Sequence, residues 1–253
     1  MSQLDDLLRD LVVANRILSN EDVVDAYGHI SVRHPDNPKH FFMSRSLAPE
    51  LVQRNDLIEF DQAGEPVKDQ RQPYLERFIH AAIFEARPDV TAVVHAHAED
   101  TLPFGLIKTP LQPVIHSGSF IGGKVPVWDI RKKFGDTNLL VTNMAQGRDL
   151  AKSLGKGSVA LMRGHGFASA ARSIIEVVRL SVYLPRNARV QMTAMQAGKP
   201  IPLSKGEIAA RAAGYKPHAP ETWRAWEYWA NRAGCGDMIG EPHAHGAHHD
   251  HKR

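Results

Sequence analysis

Two histidines, His95 and His97, stand two residues apart in the short apolar run Val93-Val94-His95-Ala96-His97-Ala98. In a strand, side chains at i and i+2 share a face, roughly 6–7 Å apart along the backbone. Two neutral imidazoles so placed can converge on one divalent cation. Far downstream, His165 lies between Gly164 and Gly166, and flanking glycines permit the tight turn that brings an imidazole to a neighbouring strand end. Three nitrogens from a strand and a distant turn form a facial set with open positions, the pattern of a catalytic metal rather than a closed structural one. Glu76 lies on the helical stretch before the histidine run, and a carboxylate beside a divalent ion serves as a fourth ligand or a general acid/base. Each residue also has an ordinary reading. His165 can be a locally bonded turn residue, and Glu76 a solvated first-turn carboxylate favoured by the helix dipole. His80, which shares a helix face with Glu76 at i, i+4, reads first as a satisfied, partly buried helix histidine.

The elements that must hold these groups follow from periodicity. Apolar residues at 4, 7, 8, 11, 12, 14, 17 and 18 predict an amphipathic helix over Leu4 to Leu18. Gly28 to Val32 reads as a turn entering a strand, His34 to Pro38 as a hairpin turn, His40 to Met43 as the returning strand, and Asp56 to Phe60 as another. Pro66 to Pro73 is a loop, and Pro73 suits the first turn of a helix over Tyr74 to Ala86, closed by Arg87-Pro88. Asp89 to Ala98 is the strand that carries the histidine pair. Leu139 to Val141 and Ser158 to Met162 are expected strands, with a helix from about Arg148 to Leu154 between them. Phe167 to Ala170 continues as a strand after the glycine turn, and a helix spans Ser173 to about Ala197, kinked or interrupted at Pro185. Two further helices are expected near Lys205 to Ala213 and Pro220 to Arg232. Strands and helices alternate in the middle and helices dominate the ends, which favours an α/β layered domain with a mixed sheet.

Composition narrows the classes of function. A chain of 253 residues with 43% hydrophobic and 23% charged side chains has room for a large core. A net charge of +3, with scattered Lys and Arg, gives no nucleic-acid footprint. No run of about 18 apolar residues predicts a membrane span, and the acidic N-terminus is unlike a basic-then-apolar leader. The single cysteine, Cys235, fits a reducing compartment and has no activating neighbour in its Gly-rich segment. A cytoplasmic protein is expected. Residues 241–253 are His-rich without apolar periodicity and read as a disordered extension able to chelate metal weakly. Tyr215, Trp223, Trp226 and Trp229 at helical spacing read as packing residues, with cover over a neighbour's active site as the other option.

Gly28-His29-Ile30-Ser31, Glu76 with Ile79-His80-Ala81-Ala82-Ile83-Phe84, His95-Ala96-His97 and Arg163-Gly164-His165-Gly166 together resemble the class II aldolase/adducin family. The resemblance runs over roughly residues 5 to 195 in the family's order and spacing. It implies a three-layer α/β/α sandwich with a central mixed, mostly antiparallel sheet. It further implies one domain over residues 1–240, including the C-terminal helices, and a homotetramer with active sites at subunit boundaries. One divalent ion per subunit is implied on His95, His97 and His165, with Glu76 as acid/base or extra ligand. Zinc, manganese, cobalt and iron all suit that donor set. The departures matter too. Sugar-phosphate aldolases of the family generally carry Asn where His29 stands and serines just before the glutamate, where this chain has Tyr74 and Leu75. One phosphate-holding element is therefore missing. The loop Met43-Ser44-Arg45-Ser46-Leu47-Ala48-Pro49 instead offers an Arg flanked by hydroxyls, suited to a carboxylate or else a plain surface Arg in a hairpin connection.

That pattern looks like the decarboxylase branch, which acts on hydroxylated aromatic, pyridine or ring-cleavage carboxylic acids. The implied activity is a metal-dependent carbon–carbon lyase of aromatic catabolism. It would decarboxylate a hydroxy or oxo carboxylic acid through a metal-stabilised enolate. Glu76, or His29 through a water, would return a proton to carbon, and Ser44, Arg45 and Ser46 would hold a second carboxylate. Retro-aldol cleavage of a small non-phosphorylated hydroxy-acid or sugar is the alternative, and a dehydratase or epimerase uses similar chemistry. A non-catalytic adducin-like scaffold is a third reading, disfavoured by the complete set of three histidines and Glu76.

Overall fold

The computed structural model describes residues 2–215 and 219–240. Its strands are β1 (His29–Arg33), β2 (Phe41–Ser44), β3 (Leu57–Phe60), β4 (Ala92–Ala96), β5 (Val127–Trp128), β6 (Val159–Met162) and β7 (Gly166–Ala171). They form one sheet in the order β3-β2-β1-β4-β7-β6-β5, antiparallel throughout except for the parallel β5–β6 pair. The main helices are α1 (Gln3–Asn20), α2 (Arg77–Ala86), α3 (Leu102–Leu106), α4 (Arg131–Phe134), α5 (Met144–Leu154), α6 (Ile174–Ala197), α7 (Lys205–Ala213) and α8 (Pro220–Arg232).

Period-two alternation in the central strands makes the layers. On one face, Phe41, Met43, Val93, Ala168 and Ala170 pack against Phe78, Ala82 and Ile83 of α2 and Leu150 and Leu154 of α5. On the other, Ile30, Val32, Val94, Ala96 and Phe167 pack against α1 and α6, joined by Trp226 and Trp229 of α8. The mixed, mostly antiparallel three-layer sandwich is as the resemblance implies. The two tryptophans are 0% and 2% exposed, so in this chain they pack the core. Cys235 is also buried, and burial raises its thiol above the usual range, as suits an unreactive packing residue.

Several boundaries differ from the sequence-based expectations. α2 begins at Arg77 rather than Tyr74, with Glu76 at the N-cap position but making no capping bond. α5 begins at Met144, a turn before Arg148, because the Asn143 side chain caps it by accepting the Gln146 N–H at 3.0 Å. Leu139 to Val141 is not a strand. The Leu139 and Leu140 N–H groups donate to Thr137 Oγ1 (3.0 Å) and Asn138 Oδ1 (3.2 Å), and Leu139 has φ +69°, which no ladder accommodates. Pro185 does not interrupt α6, which continues to Ala197 while Val182, Leu184 and Ala188 are buried around it. That burial offsets a helix-interior proline cost of about 3 kcal/mol. The short β5, α3 and α4, only two to five residues long, are too brief for periodicity to mark them in the sequence. The His-rich segment 241–253 lies outside the described residues. No helix among the described residues is long and apolar enough to cross a membrane.

Candidate metal centre and active site

The register of the three central strands decides what meets at the sheet's end. His29 of β1 is directly opposite His95 of β4, and His95 is opposite Ala168 of β7. All three side chains therefore point to the α2 face. His97 follows one residue beyond β4, and the turn before β7 supplies His165. That turn depends on its glycines. Gly164 has φ +67°, and a Cβ on Gly166 would lie 2.2 Å from the Ala96 carbonyl oxygen. A side chain at Gly166 would hold β7 off β4 where the ligands must converge.

Glu76 enters from above, at the start of α2. Its Oε1 accepts the Val141 N–H at 2.9 Å, and its Oε2 lies 3.4 Å from both His95 Nε2 and His165 Nε2. His97 Nε2 is 3.0 Å from His95 Nε2. One donor atom from each of Glu76, His95, His97 and His165 lies within 4.8 Å of every other. Ligands about 2.1 Å from a tetrahedral ion stand about 3.4 Å from one another, and the 3.0 and 3.4 Å spacings here come close to that.

The outer hydrogen bonds point the same way. His95 Nδ1 donates to the Phe167 carbonyl at 3.0 Å, and His165 Nδ1 donates to the Leu139 carbonyl at 3.0 Å. Each bond leaves Nε2 as a bare lone pair turned to the common centre, the tautomer that metal ligation needs. Lone pairs and a carboxylate crowded together are stable only around a cation or shared protons. The four residues thus fit one divalent ion.

Electrostatics divide the site into an anionic and a neutral part. Burial opposes ionisation of Glu76, but protons that His95 and His165 share with it outweigh burial through charge and hydrogen bonds, and its carboxyl is then held well below the usual range. For His97, burial first and then His95 and His165 lower the imidazole to about 4. His29 is pulled well below the usual histidine range, by burial and then by His80 and His95.

The other expected site residues are arranged differently. Ser44 is buried and bonds Tyr74 Oη at 3.1 Å, and the Tyr74 hydroxyl donates to the Leu47 carbonyl. The Tyr74 ring packs on His29 with centroids 4.5 Å apart. Ser44 therefore touches the site through a tyrosine. Arg45 Nε donates to Asp56 Oδ1 at 2.8 Å, and Ser46 is exposed with its N–H bonded to the Gln72 carbonyl. A cleft of about 510 Å³ opens beside His97, bordered by Asp25, Glu99, Asp100, Arg186 and Arg189.

In the sequence Ser31 has no role of its own beyond the family motif, and His80 is the satisfied helix histidine expected, though fully rather than partly buried. The His80 ring bonds both His29 and Ser31. Ser31 carried a signal, since it stands two residues from His29 on one strand, the same spacing that marked His95 and His97. The backbone partners at Phe167, Leu139 and Val141 carried none, because any residue supplies a carbonyl or an amide.

The fold and the cluster of Glu76, His95, His97 and His165 define a recognisable class. The family model for the class II aldolase and adducin N-terminal domain matches residues 9–192, and the chain belongs to this family. Its relatives include decarboxylase tropJ of Talaromyces stipitatus, 34% identical over 91% of this chain and 95% of that protein. A 3,4-dihydroxyphthalate decarboxylase of Arthrobacter keyseri is 26% identical over 74% of this chain and 78% of its own length. An aldolase II superfamily protein from Pseudomonas syringae shares the fold, with a TM-score of 0.77 and 22% identity over 94% of this chain and 96% of that one.

Proposed function

We propose that this protein is a divalent-metal-dependent decarboxylase for a hydroxylated or oxo carboxylic acid of aromatic origin. The observation that carries the reading is the cluster of Glu76, His95, His97 and His165, open beside His97, in a chain whose similar relatives include proteins named as decarboxylases. His95, His97 and His165 would hold the ion. When bound, it would supply Lewis-acid stabilisation of negative charge on a substrate oxygen. Zinc, manganese, cobalt and iron remain the candidates.

The chain's own residues supply the proton traffic. Glu76, whose Oε2 faces the same centre as the histidine nitrogens, would take the proton of a substrate hydroxyl as the substrate binds. The bond to the departing carboxylate breaks, CO2 leaves, and the electron pair stays on carbon. Glu76 then returns the proton to that carbon, with His29 facing the same space. Ser44 holds Tyr74 against His29, and Arg45 meets a second carboxylate if it exchanges its Asp56 partner, while Ser46 borders the same loop. The proposal extends to a cytoplasmic location and to a homotetramer with the clefts at subunit boundaries.

A panel of hydroxy-carboxylates, assayed in parallel for CO2 and for aldehyde release, tests this reading. CO2 release from at least one aromatic-derived acid is expected. Aldehyde release alone would convert the assignment to the retro-aldolase the fold equally supports. Metal analysis of protein lacking residues 241–253 should find about one divalent ion per chain, and none would remove the metal centre.

A further inference from the structure

Behind the site lies a buried chain of polar groups that metal ligation does not use. His29 Nδ1 is 2.7 Å from His80 Nε2, and His80 Nδ1 is 2.5 Å from Ser31 Oγ. His80 and Ser31 are both 0% exposed and His29 is 4% exposed. Ser31 and His29 sit on β1 and His80 on α2, so the three groups lock helix to sheet directly behind His95.

Hydrogen-bond bookkeeping fixes the direction of this chain. Among the described residues, Ser31 Oγ has no second partner. Were His80 Nδ1 the donor, the serine hydroxyl would be left as an unmet buried donor, which costs more than a made bond gains. The hydroxyl therefore donates to His80 Nδ1. A neutral imidazole carries one proton, which must then sit on His80 Nε2 and point at His29 Nδ1. His29 in turn carries its proton on Nε2. Both rings are buried and hydrogen-bonded to neutral groups rather than to a carboxylate, so neither holds a second proton.

We propose that Ser31 and His80 are positioning residues that hold His29 as the Nε2–H tautomer, so that His29 meets the substrate as a hydrogen-bond donor and not as a base. The chain ends blindly at Ser31, whose alkoxide is far too basic to form, so it cannot pass a proton away from His29 in return. Proton transfer then belongs to Glu76, and His29 stabilises negative charge developing on a substrate oxygen, as a fixed dipole does in a dry site. The structural half of this inference stands alone. Its functional half rests on the proposed lyase reading.

The test separates the two halves. In full-length protein labelled with 15N-histidine and loaded with Zn2+, both rings should carry the proton on Nε2, and a scalar coupling should cross from His80 Nε2 to His29 Nδ1. A proton on Nδ1 of either ring, or two protons on either ring at pH 7, would overturn the assignment whatever the enzyme turns over. On the best substrate of the panel, His80→Phe should lower kcat by about 10- to 100-fold with KM little changed. His80→Gln, whose amide can still donate to His29, should recover most of that loss. Equal kcat in both variants and the wild type would remove the positioning role. Should Phe prevent folding, Ser31→Ala and Ser31→Thr give the same comparison, with the hydroxyl-bearing variant expected to be the more active.

Discussion

Glu76 and His97 look like equivalent members of one cluster, yet their surroundings assign them different work. His97 borders the cleft and, among the described residues, has no backbone partner to fix its ring, so the role proposed for it is that of a ligand. Glu76 is fastened by the Val141 amide, with its other oxygen 3.4 Å from His95 and His165. His97→Ala should therefore lose both bound metal and turnover. Glu76→Gln should keep metal near stoichiometric and lose about 10²- to 10⁴-fold in kcat, the span of general acid–base catalysis. Metal analysis and steady-state kinetics on both variants check this, and near-normal turnover in Glu76→Gln would take the acid/base role away from it. The cluster was legible in the sequence because imidazoles at strand spacing, a glycine-flanked histidine and an upstream glutamate occur together. The loop around Arg45 was legible only as chemistry. Its Asp56 partner lies 11 residues further on, and no local pattern announces such a pair.

At the scale of elements, the seam between α2 and β1 is where the site is most vulnerable. His80 is lowered to about 3 in the folded chain, first by burial and then by His95, whereas an unfolded chain titrates near 6.5. Below about pH 6.5 the unfolded chain takes up a proton that the folded chain refuses, so stability falls as pH drops toward 3. The loss is on the order of 2 to 3 kcal/mol by pH 4.5, and His29 adds to it with the same sign. Thermal denaturation in EDTA, which removes the separate effect of metal release, should show the wild type losing stability over this window faster than His80→Phe. Parallel pH slopes would contradict it. A second element-scale weakness is the β4–β7 junction. Gly166→Ala should cost at least about 2 kcal/mol, by analogy with forced overpacking, and lower metal occupancy, because its Cβ meets backbone rather than a yielding side chain. Elements with strong periodicity, such as α1, α7 and α8, were read within a residue or two. The segment Leu139 to Val141 looked like a strand by composition, but its polar groups serve Glu76 and His165 instead. A backbone recruited by a distant side chain leaves no trace in local hydrophobicity.

For the whole molecule, the layered fold was legible because alternation in the strands and amphipathic helices agree with one another. Assembly is not written in that alternation and has to be argued from the surface. Leu75 is 56% exposed beside Glu76, and Leu106 and Ile107, which follow β4 at the end of α3, are 63% and 42% exposed. Large apolar side chains left in water are a feature of surfaces that meet another chain. With the homotetramer proposed above, sedimentation velocity at micromolar concentration should give about four times the 28.1 kDa chain mass. Leu106→Asp would place a charge in a contact meant to exclude water, and should shift the distribution toward smaller species. Turnover should fall with it while each chain keeps its metal, because His95, His97, His165 and Glu76 all come from one subunit. A wild type that sediments as a monomer and still turns over would detach the active site from any subunit boundary.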